Sequence, residues 1–268
     1  MEHRLGVIAG SGDFSSHVIR EAHKLGYKCF IAAIKGEAEG HLEESVEEFE
    51  WFDISDISNV ISFFKKNCIK EALFAGKIEH RIIYRRGDVF EKRGDVFPGE
   101  EKTPTTLIKW VINLMDGEGI KIIDPSLFIS STFCKEGILT KTKPSHRIEK
   151  DIDFGWEIAK SIADLDIGQT VIVKDKAVIA IEGMEGTDEA IKRGGEIAGS
   201  GIVVVKVSRS LQDFRVDLPA IGLETIRQIA GARGQALCFE AQKMPFFQRE
   251  GSVAMADNNK ISIIAKRK

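Results

Sequence analysis

The stretch GQTVIVKDKAVIAIEGMEGTDEAIKRGG, residues 168–195, decides how the second half of the chain folds. Residues 171–174 and 177–182 are short β-branched runs on either side of Asp175-Lys176, a pattern that reads as a hairpin ending at Glu182. Gly183-Met184-Glu185-Gly186 then turns into a helix with Thr187 as its N-cap and Asp188 and Glu189 in its first turn. Glu182, Glu185 and Asp188 are therefore expected to converge at one strand-to-helix corner. Arg193 lies two turns along the same helix, where it either reaches a phosphate or pairs with Glu189 four residues before it. A carboxylate that ends an apolar strand needs a partner if it is buried, which singles out Glu182. Acidic residues at a helix N-terminus favour the macrodipole with or without a further role, which makes Asp188 less telling.

C-terminal to this stretch, residues 202–207 form another β-branched run with Lys206 near its end, and QDFRVDLPAIG follows. Asp213, Arg215 and Asp217 recur there at period two, so an extended backbone points all three to one face. Two carboxylates flanking an arginine suit Mg²⁺ with a phosphate, because arginine grips phosphate bidentately and Mg²⁺ takes oxygen ligands. They equally suit a surface ion-pair cluster on an edge strand. Pro219 stops the strand, and Gly222 opens a helix over 223–232 with Thr225 in its first turn. Residues 168–217 contain no histidine and no G-x-S-x-G, so no nucleophile motif is present there.

The N-terminal half reads as strand, glycine turn, helix, strand: an apolar run over 5–9, Gly10-Ser11-Gly12, an amphipathic stripe over 14–25 and a second run over 28–34. Such a turn either offers backbone N–H groups to a phosphate or lets helix and strand pack closely. The dinucleotide fingerprint is incomplete, because Ser15 stands at the third glycine and strand two ends without a ribose-binding acid. The glutamates of 37–50 read as a solvated loop or helix face. A helix over 54–68 leads to a strand over 72–75 that runs into Gly76-Lys77, at the strand end where a doubly wound sheet binds ligands. Residues 81–99 carry Arg81, Arg85, Arg86, Lys92 and Arg93 and repeat GDVF, as a basic loop over an anion or a plain charged excursion. A helix over 107–114 and a strand over 120–125 complete four strands.

The expected fold is α/β with two domains: a Rossmann-like parallel-sheet domain over 1–133, a connector over 134–147, and a mixed α/β domain over 148–268 that opens with a helix. The net charge of −3, from 38 basic and 41 acidic residues, gives no electrostatic case for nucleic acid. Four scattered cysteines without a C-x-x-C pair suggest neither zinc nor a disulfide framework and fit a reducing, cytoplasmic setting. No apolar run approaches the ~20 residues that span a bilayer.

The run LDIGQTVIVKDKAVIAIEGMEGTDEAIKRGG, followed by VVKVS, QDFRVDLPAIGLETI and LCFEA, resembles the C-terminal domain of the LpxI family of UDP-2,3-diacylglucosamine pyrophosphatases. GVIAGSGDF, Gly76-Lys77 and EGILTKTKPS match the same family. The resemblance implies Mg²⁺-dependent hydrolysis of UDP-2,3-diacylglucosamine to UMP and 2,3-diacylglucosamine 1-phosphate (lipid X) in lipid A synthesis, and a homodimer. By motif match the family's catalytically important aspartate falls on Asp217. The resulting expectations place Asp217, Arg215 and Asp188 in catalysis and Asp217, Glu182, Glu185 and Asp188 on the metal. Gly10, Ser11, Gly12, Lys77, Lys174, Thr187, Arg193, Lys206 and Thr225 are expected on the substrate, with the interdomain surface and residues 244–247 candidates for an acyl groove. A diacyl substrate without a membrane anchor in the enzyme implies peripheral contact with the cytoplasmic face of the inner membrane. The alternatives are a non-catalytic nucleotide-sugar or lipid carrier and an NAD-dependent oxidoreductase; the absent ribose acid opposes the latter.

Overall fold

The computed structural model describes residues 3–78 and 103–267; the basic stretch 81–99 lies outside the described residues. The chain divides into two compact units, Met1–Ser130 with Asp213–Leu218, and Ser131–Gln212 with Pro219–Lys268.

In the first unit β1 (His3–Ala9), β2 (Tyr27–Ile34), β3 (Glu48–Phe52), β4 (Glu71–Ala75) and β5 (Lys121–Ile122) form a parallel sheet in the order β3-β2-β1-β4-β5. The unbroken apolar runs of β1 and β2 follow from burial on both faces, as a parallel sheet requires. α2 (Ile57–Lys66) and α3 (Pro104–Gly117) cover one face, their Val60, Phe64, Val111 and Met115 packing with Ile8, Phe30 and Ala32. α1 (Phe14–Lys24) packs beside α4 (Ser126–Ile129). The sheet has five strands where the sequence suggested four. Glu48–Phe52 is an edge strand with Glu50 and Trp51 exposed and Phe52 buried, so the acidic stretch is not simply a solvated loop.

The second unit is built on a mixed sheet of six strands, in which β7 (Thr170–Lys174) and β8 (Ala177–Ile181) form the expected hairpin at one edge. β9 (Val203–Lys206), β10 (Ala236–Glu240) and β11 (Ser262–Lys266) run parallel, and β7 runs antiparallel to β9. β6 (Gly137–Ile138) pairs with β11, so the connector contributes an edge strand. α5 (His146–Asp164) lays Trp156 and Ile152 on Val171, Val173 and Val205. α6 (Thr187–Ala198), α7 (Leu223–Gly231) and α8 (Arg249–Asn258) cover the opposite face, where Ile172, Val204 and Phe239 point. The period-two alternation of β7 is what divides its side chains between the two cores.

The β7–β8 turn puts Asp175 and Lys176 at φ 52° and 56°, the left-handed pair of a two-residue hairpin. Neither residue is glycine, and the turn is held from outside: the buried Asp151 carboxylate accepts their two N–H groups at 3.0 and 2.7 Å. Met244, Phe246 and Phe247 are buried in the second unit, so residues 244–247 are core and not an acyl groove.

Candidate active site

At the end of the second sheet where β8 and β9 finish and β7 begins, Lys206, Thr187 and Glu182 form one hydrogen-bonded chain. The Lys206 ammonium donates to Thr187 Oγ1 at 2.9 Å and to the Ala220 carbonyl at 3.0 Å, with only 9% of the residue exposed. The Thr187 hydroxyl donates to Glu182 Oε1 at 2.8 Å, and Glu182 Oε2 accepts the Gln169 N–H at 3.2 Å. Thr170 Oγ1 lies 3.5 Å from Thr187 Oγ1. Thr187 is thus the first helical residue and not the N-cap, which is Gly186 at φ 81°, and its side chain turns to the strand ends. Thr225 is buried in the first turn of α7.

Glu185 and Arg193 form a separate pair beside this chain, at 2.5 Å, with Arg193 also donating to the Ile181 carbonyl at 2.9 Å. Burial works to raise the Glu185 pKa, yet the Arg193 guanidinium and the Gly183 N–H hold it below the usual glutamate range. Arg193 therefore pairs with Glu185 in the preceding turn and not with Glu189. Asp188 is half-buried in the first turn of α6. Among the described residues no group of three or more histidine, cysteine, aspartate or glutamate side chains is placed to hold a metal ion. Glu182, Glu185 and Asp188 lie at one strand-to-helix corner, as their spacing implies. Glu182 is engaged by a hydroxyl and an amide, and Glu185 by a guanidinium. Lys174 is set apart as well: it stands at the far end of β7 and donates to the Ala198 carbonyl at 3.0 Å, closing the C-terminus of α6.

Asp213, Arg215 and Asp217 belong to the segment that clusters with the first unit, where Val216 joins the core. The backbone here is a turn and not a strand, because the Val216 and Asp217 N–H groups both donate to the Asp213 carbonyl, at 3.0 and 3.1 Å. Arg215 folds back on Asp213, giving its backbone N–H and two guanidinium N–H groups to the carboxylate at 3.0, 3.0 and 2.8 Å. The Arg215 hydrogen bond holds the Asp213 carboxyl below its usual range, and Asp213 in turn raises Arg215. Period two in the sequence was real but was not extended backbone, so the three side chains do not share a strand face. Asp217 is half-buried in the residue following this turn.

In the first unit Gly10, Ser11, Gly12 and Lys77 lie at the carboxyl ends of β1 and β4, where the strand order reverses and α/β sheets bind ligands. The Gly10 N–H donates to Ala75 O at 2.8 Å, and Ser11 and Lys77 exchange both backbone hydrogen bonds at 2.8 and 2.9 Å. The Gly10 and Ser11 amides are thus spent within the fold. A Cβ on Gly10 would sit 2.5 Å from the Lys77 carbonyl oxygen, and one on Gly76 (φ 101°) 2.6 Å from Gly10 C. Both glycines are explained by backbone meeting backbone, the packing alternative; Gly12 (φ 89°) has open space around it.

A further polar cluster was not anticipated. Glu240, ending β10 and only 6% exposed, accepts from Lys160 at 2.7 Å and from the Ser208 N–H and hydroxyl at 3.0 and 2.8 Å. Burial works against this carboxylate's charge, but the Lys160, Ser208 and Lys243 donors outweigh it and lower its pKa. The signal that could have found it is the one that marked Glu182, a glutamate terminating an apolar strand.

The family model of the LpxI N-terminal domain matches residues 4–132, and that of the LpxI C-terminal domain matches residues 135–264. The UDP-2,3-diacylglucosamine pyrophosphatase LpxI of Caulobacter vibrioides is 25% identical over 268 residues, covering 95% of this chain and 94% of that protein. Solved structures align loosely. A biotin carboxylase domain of a thermophilic 2-oxoglutarate carboxylase bound to ADP gives a TM-score of 0.29 at 13% identity, over 64% of this chain and 35% of that one. The same domain from Hydrogenobacter thermophilus gives 0.31 at 11% identity, over 74% and 42%. The chain spans less than half of these two structures, and superpositions of that quality carry no inference. With one model on each half of the sequence and a relative aligned end to end, the chain belongs to the LpxI family.

Proposed function

We propose that the chain hydrolyses the diphosphate of UDP-2,3-diacylglucosamine, giving UMP and 2,3-diacylglucosamine 1-phosphate, in lipid A biosynthesis. The observation that carries this reading is the match of both LpxI domain models in order along the chain, supported by the aligned pyrophosphatase from Caulobacter vibrioides. In the reaction a water oxygen bonds to one phosphorus, the bridging oxygen leaves with its electron pair on the other phosphate, and one proton is released. Such transfer depends chiefly on positioning and on stabilising charge at the phosphoryl oxygens.

Asp217 is proposed as the principal carboxylate of the site. A carboxylate is a weak general base near neutrality, so a metal-binding role suits it better than proton abstraction. Arg215 is proposed to meet a phosphate by exchanging its Asp213 contact for phosphate oxygens, which suit the same bidentate fork. Lys206 and Thr187 are proposed to hold the strand ends and the Ala220 loop in register. Gly12 and Lys77 are the first-unit positions best suited to the nucleotide, because Gly12 has open space and the Lys77 side chain is exposed. Mg²⁺ dependence belongs to this proposal too. An ion bound chiefly through the substrate diphosphate needs only one or two protein carboxylates, and Asp217 is proposed as one of them. Peripheral contact with the cytoplasmic membrane face and a homodimer complete the proposal.

The test is UMP release from UDP-2,3-diacylglucosamine by the purified chain, with Mg²⁺ and with EDTA. UMP that forms with the ion and stops with the chelator is the expected result. Saturable substrate binding with no UMP under either condition would replace hydrolysis by the carrier reading.

A further inference from the structure

We infer that the second unit carries a bilayer-docking tip built from Leu165, Ile167 and Leu211, an inference that rests on the diacyl substrate proposed above. Among the described residues of this unit, seven large apolar side chains stay exposed, and four of them leave the sheet at one end: Leu165, Ile167, Met184 and Leu211. Leu165 and Ile167 lie between α5 and β7, Met184 follows β8, and Leu211 follows β9. Thr170 pairs with Lys206 and Val171 with Ile181, so these three loops emerge at the edge that holds Lys206, Thr187 and Glu182. The apolar tip and the polar chain therefore share one end of the unit.

The tip is held in place. The Ile167 N–H donates to Ile162 O at 3.1 Å and the Asp166 N–H to Ala163 O at 3.0 Å, with Asp166 at φ 57°, a Schellman closure of α5. The Ser210 N–H and hydroxyl both donate to the Asp164 carboxylate at 2.7 Å, and Arg209 pairs with Asp166. These contacts fix the two loops to each other while Leu165, Ile167 and Leu211 remain 70%, 50% and 95% exposed. Charged groups that do the fastening beneath aliphatic side chains that point away form a rigid wedge.

A wedge of this size suits a lipid surface better than a second protein. A stable protein interface buries about 800 Å² on each partner, more than three side chains supply. Three aliphatic tips on a polar base are instead what enters the headgroup–acyl boundary, where a diacyl substrate resides. No helix among the described residues is long and apolar enough to cross a membrane. Because Asp164 and Asp166 are used in the fastening, the contact is apolar and only weakly screened by salt.

The full chain and a Leu165→Ser/Ile167→Ser/Leu211→Ser variant are to be sedimented with phosphatidylcholine vesicles that contain no substrate, at low and high salt. The wild type is expected to co-sediment at both, and the variant to lose about 100-fold in partitioning, as removal of three half-inserted aliphatic side chains implies. Circular dichroism and thermal midpoint are expected to be unchanged. A wild type that ignores the vesicles, or a variant that binds them equally well, overturns the inference. So does self-association of the wild type that the variant abolishes while neither meets lipid. Vesicle binding lost in the variant supports the tip even if no UMP is released, so the two readings fail separately.

Discussion

Lys206 ties together elements that are far apart in the sequence. Its ammonium ties the first residue of α6 to the Ala220 loop, and Thr187 passes the contact to Glu182. Lys206→Met leaves the buried Thr187 hydroxyl and the half-buried Ala220 carbonyl without their donor and is expected to cost about 1–3 kcal/mol of stability, read as a lower thermal or denaturant midpoint. An unchanged midpoint would mean that the hydrogen-bonded chain is dispensable. The glycine turn separates in the same manner. Gly10→Ala drives a methyl into the Lys77 carbonyl oxygen and is expected to cost about 1–3 kcal/mol. Gly12→Ala meets no atom and faces only the cost of its positive φ, about 1 kcal/mol, so its larger effect should appear in the KM for a nucleotide substrate. The sequence places Glu182 and Lys206 at strand ends and Thr187 at a helix start, and the structure joins the three. Which of them would be engaged internally was not legible, because the partners come from a helix start and from backbone groups that carry no sequence signature.

The β7–β8 hairpin was readable from β-branched runs, but its turn was not, because the left-handed Asp175-Lys176 pair is stabilised from α5. Asp151→Ala frees both turn amides and is expected to speed hydrogen exchange at residues 175 and 176 and to lower stability by about 1–3 kcal/mol. Protection that persists in the variant would show that the strands alone set the turn. β3 escaped sequence reading because its glutamates suit an exposed edge as well as a loop. Asp213–Asp217 misled in the opposite direction. Alternation implies a strand only where the backbone has ladder partners, and here its amides turn back on Asp213.

Two units with separate cores, and a short segment of the C-terminal half clustered with the N-terminal one, make the order of the site's parts along the chain a poor guide to their placement. The sequence could announce two α/β halves through their periodicities; it could not announce that Asp213–Leu218 changes unit. Acid response is a property of the whole fold. Glu240 is nearly buried and Asp213 is fastened to Arg215, and both have lowered pKa values. The folded state therefore binds fewer protons than the unfolded chain, so their contribution is full above the ordinary carboxylate range of about 3.9–4.3 and is lost as pH falls through the lowered folded values. Glu240→Gln should flatten the acid limb of a stability–pH curve below about pH 4.3, and a limb of unaltered slope would assign acid sensitivity elsewhere. The most direct test of the functional account is UMP release by Asp217→Ala beside the wild type, with Mg²⁺ and UDP-2,3-diacylglucosamine. The account predicts a loss of at least ~10²-fold with an unchanged thermal midpoint; a folded variant that turns over at the wild-type rate would contradict it.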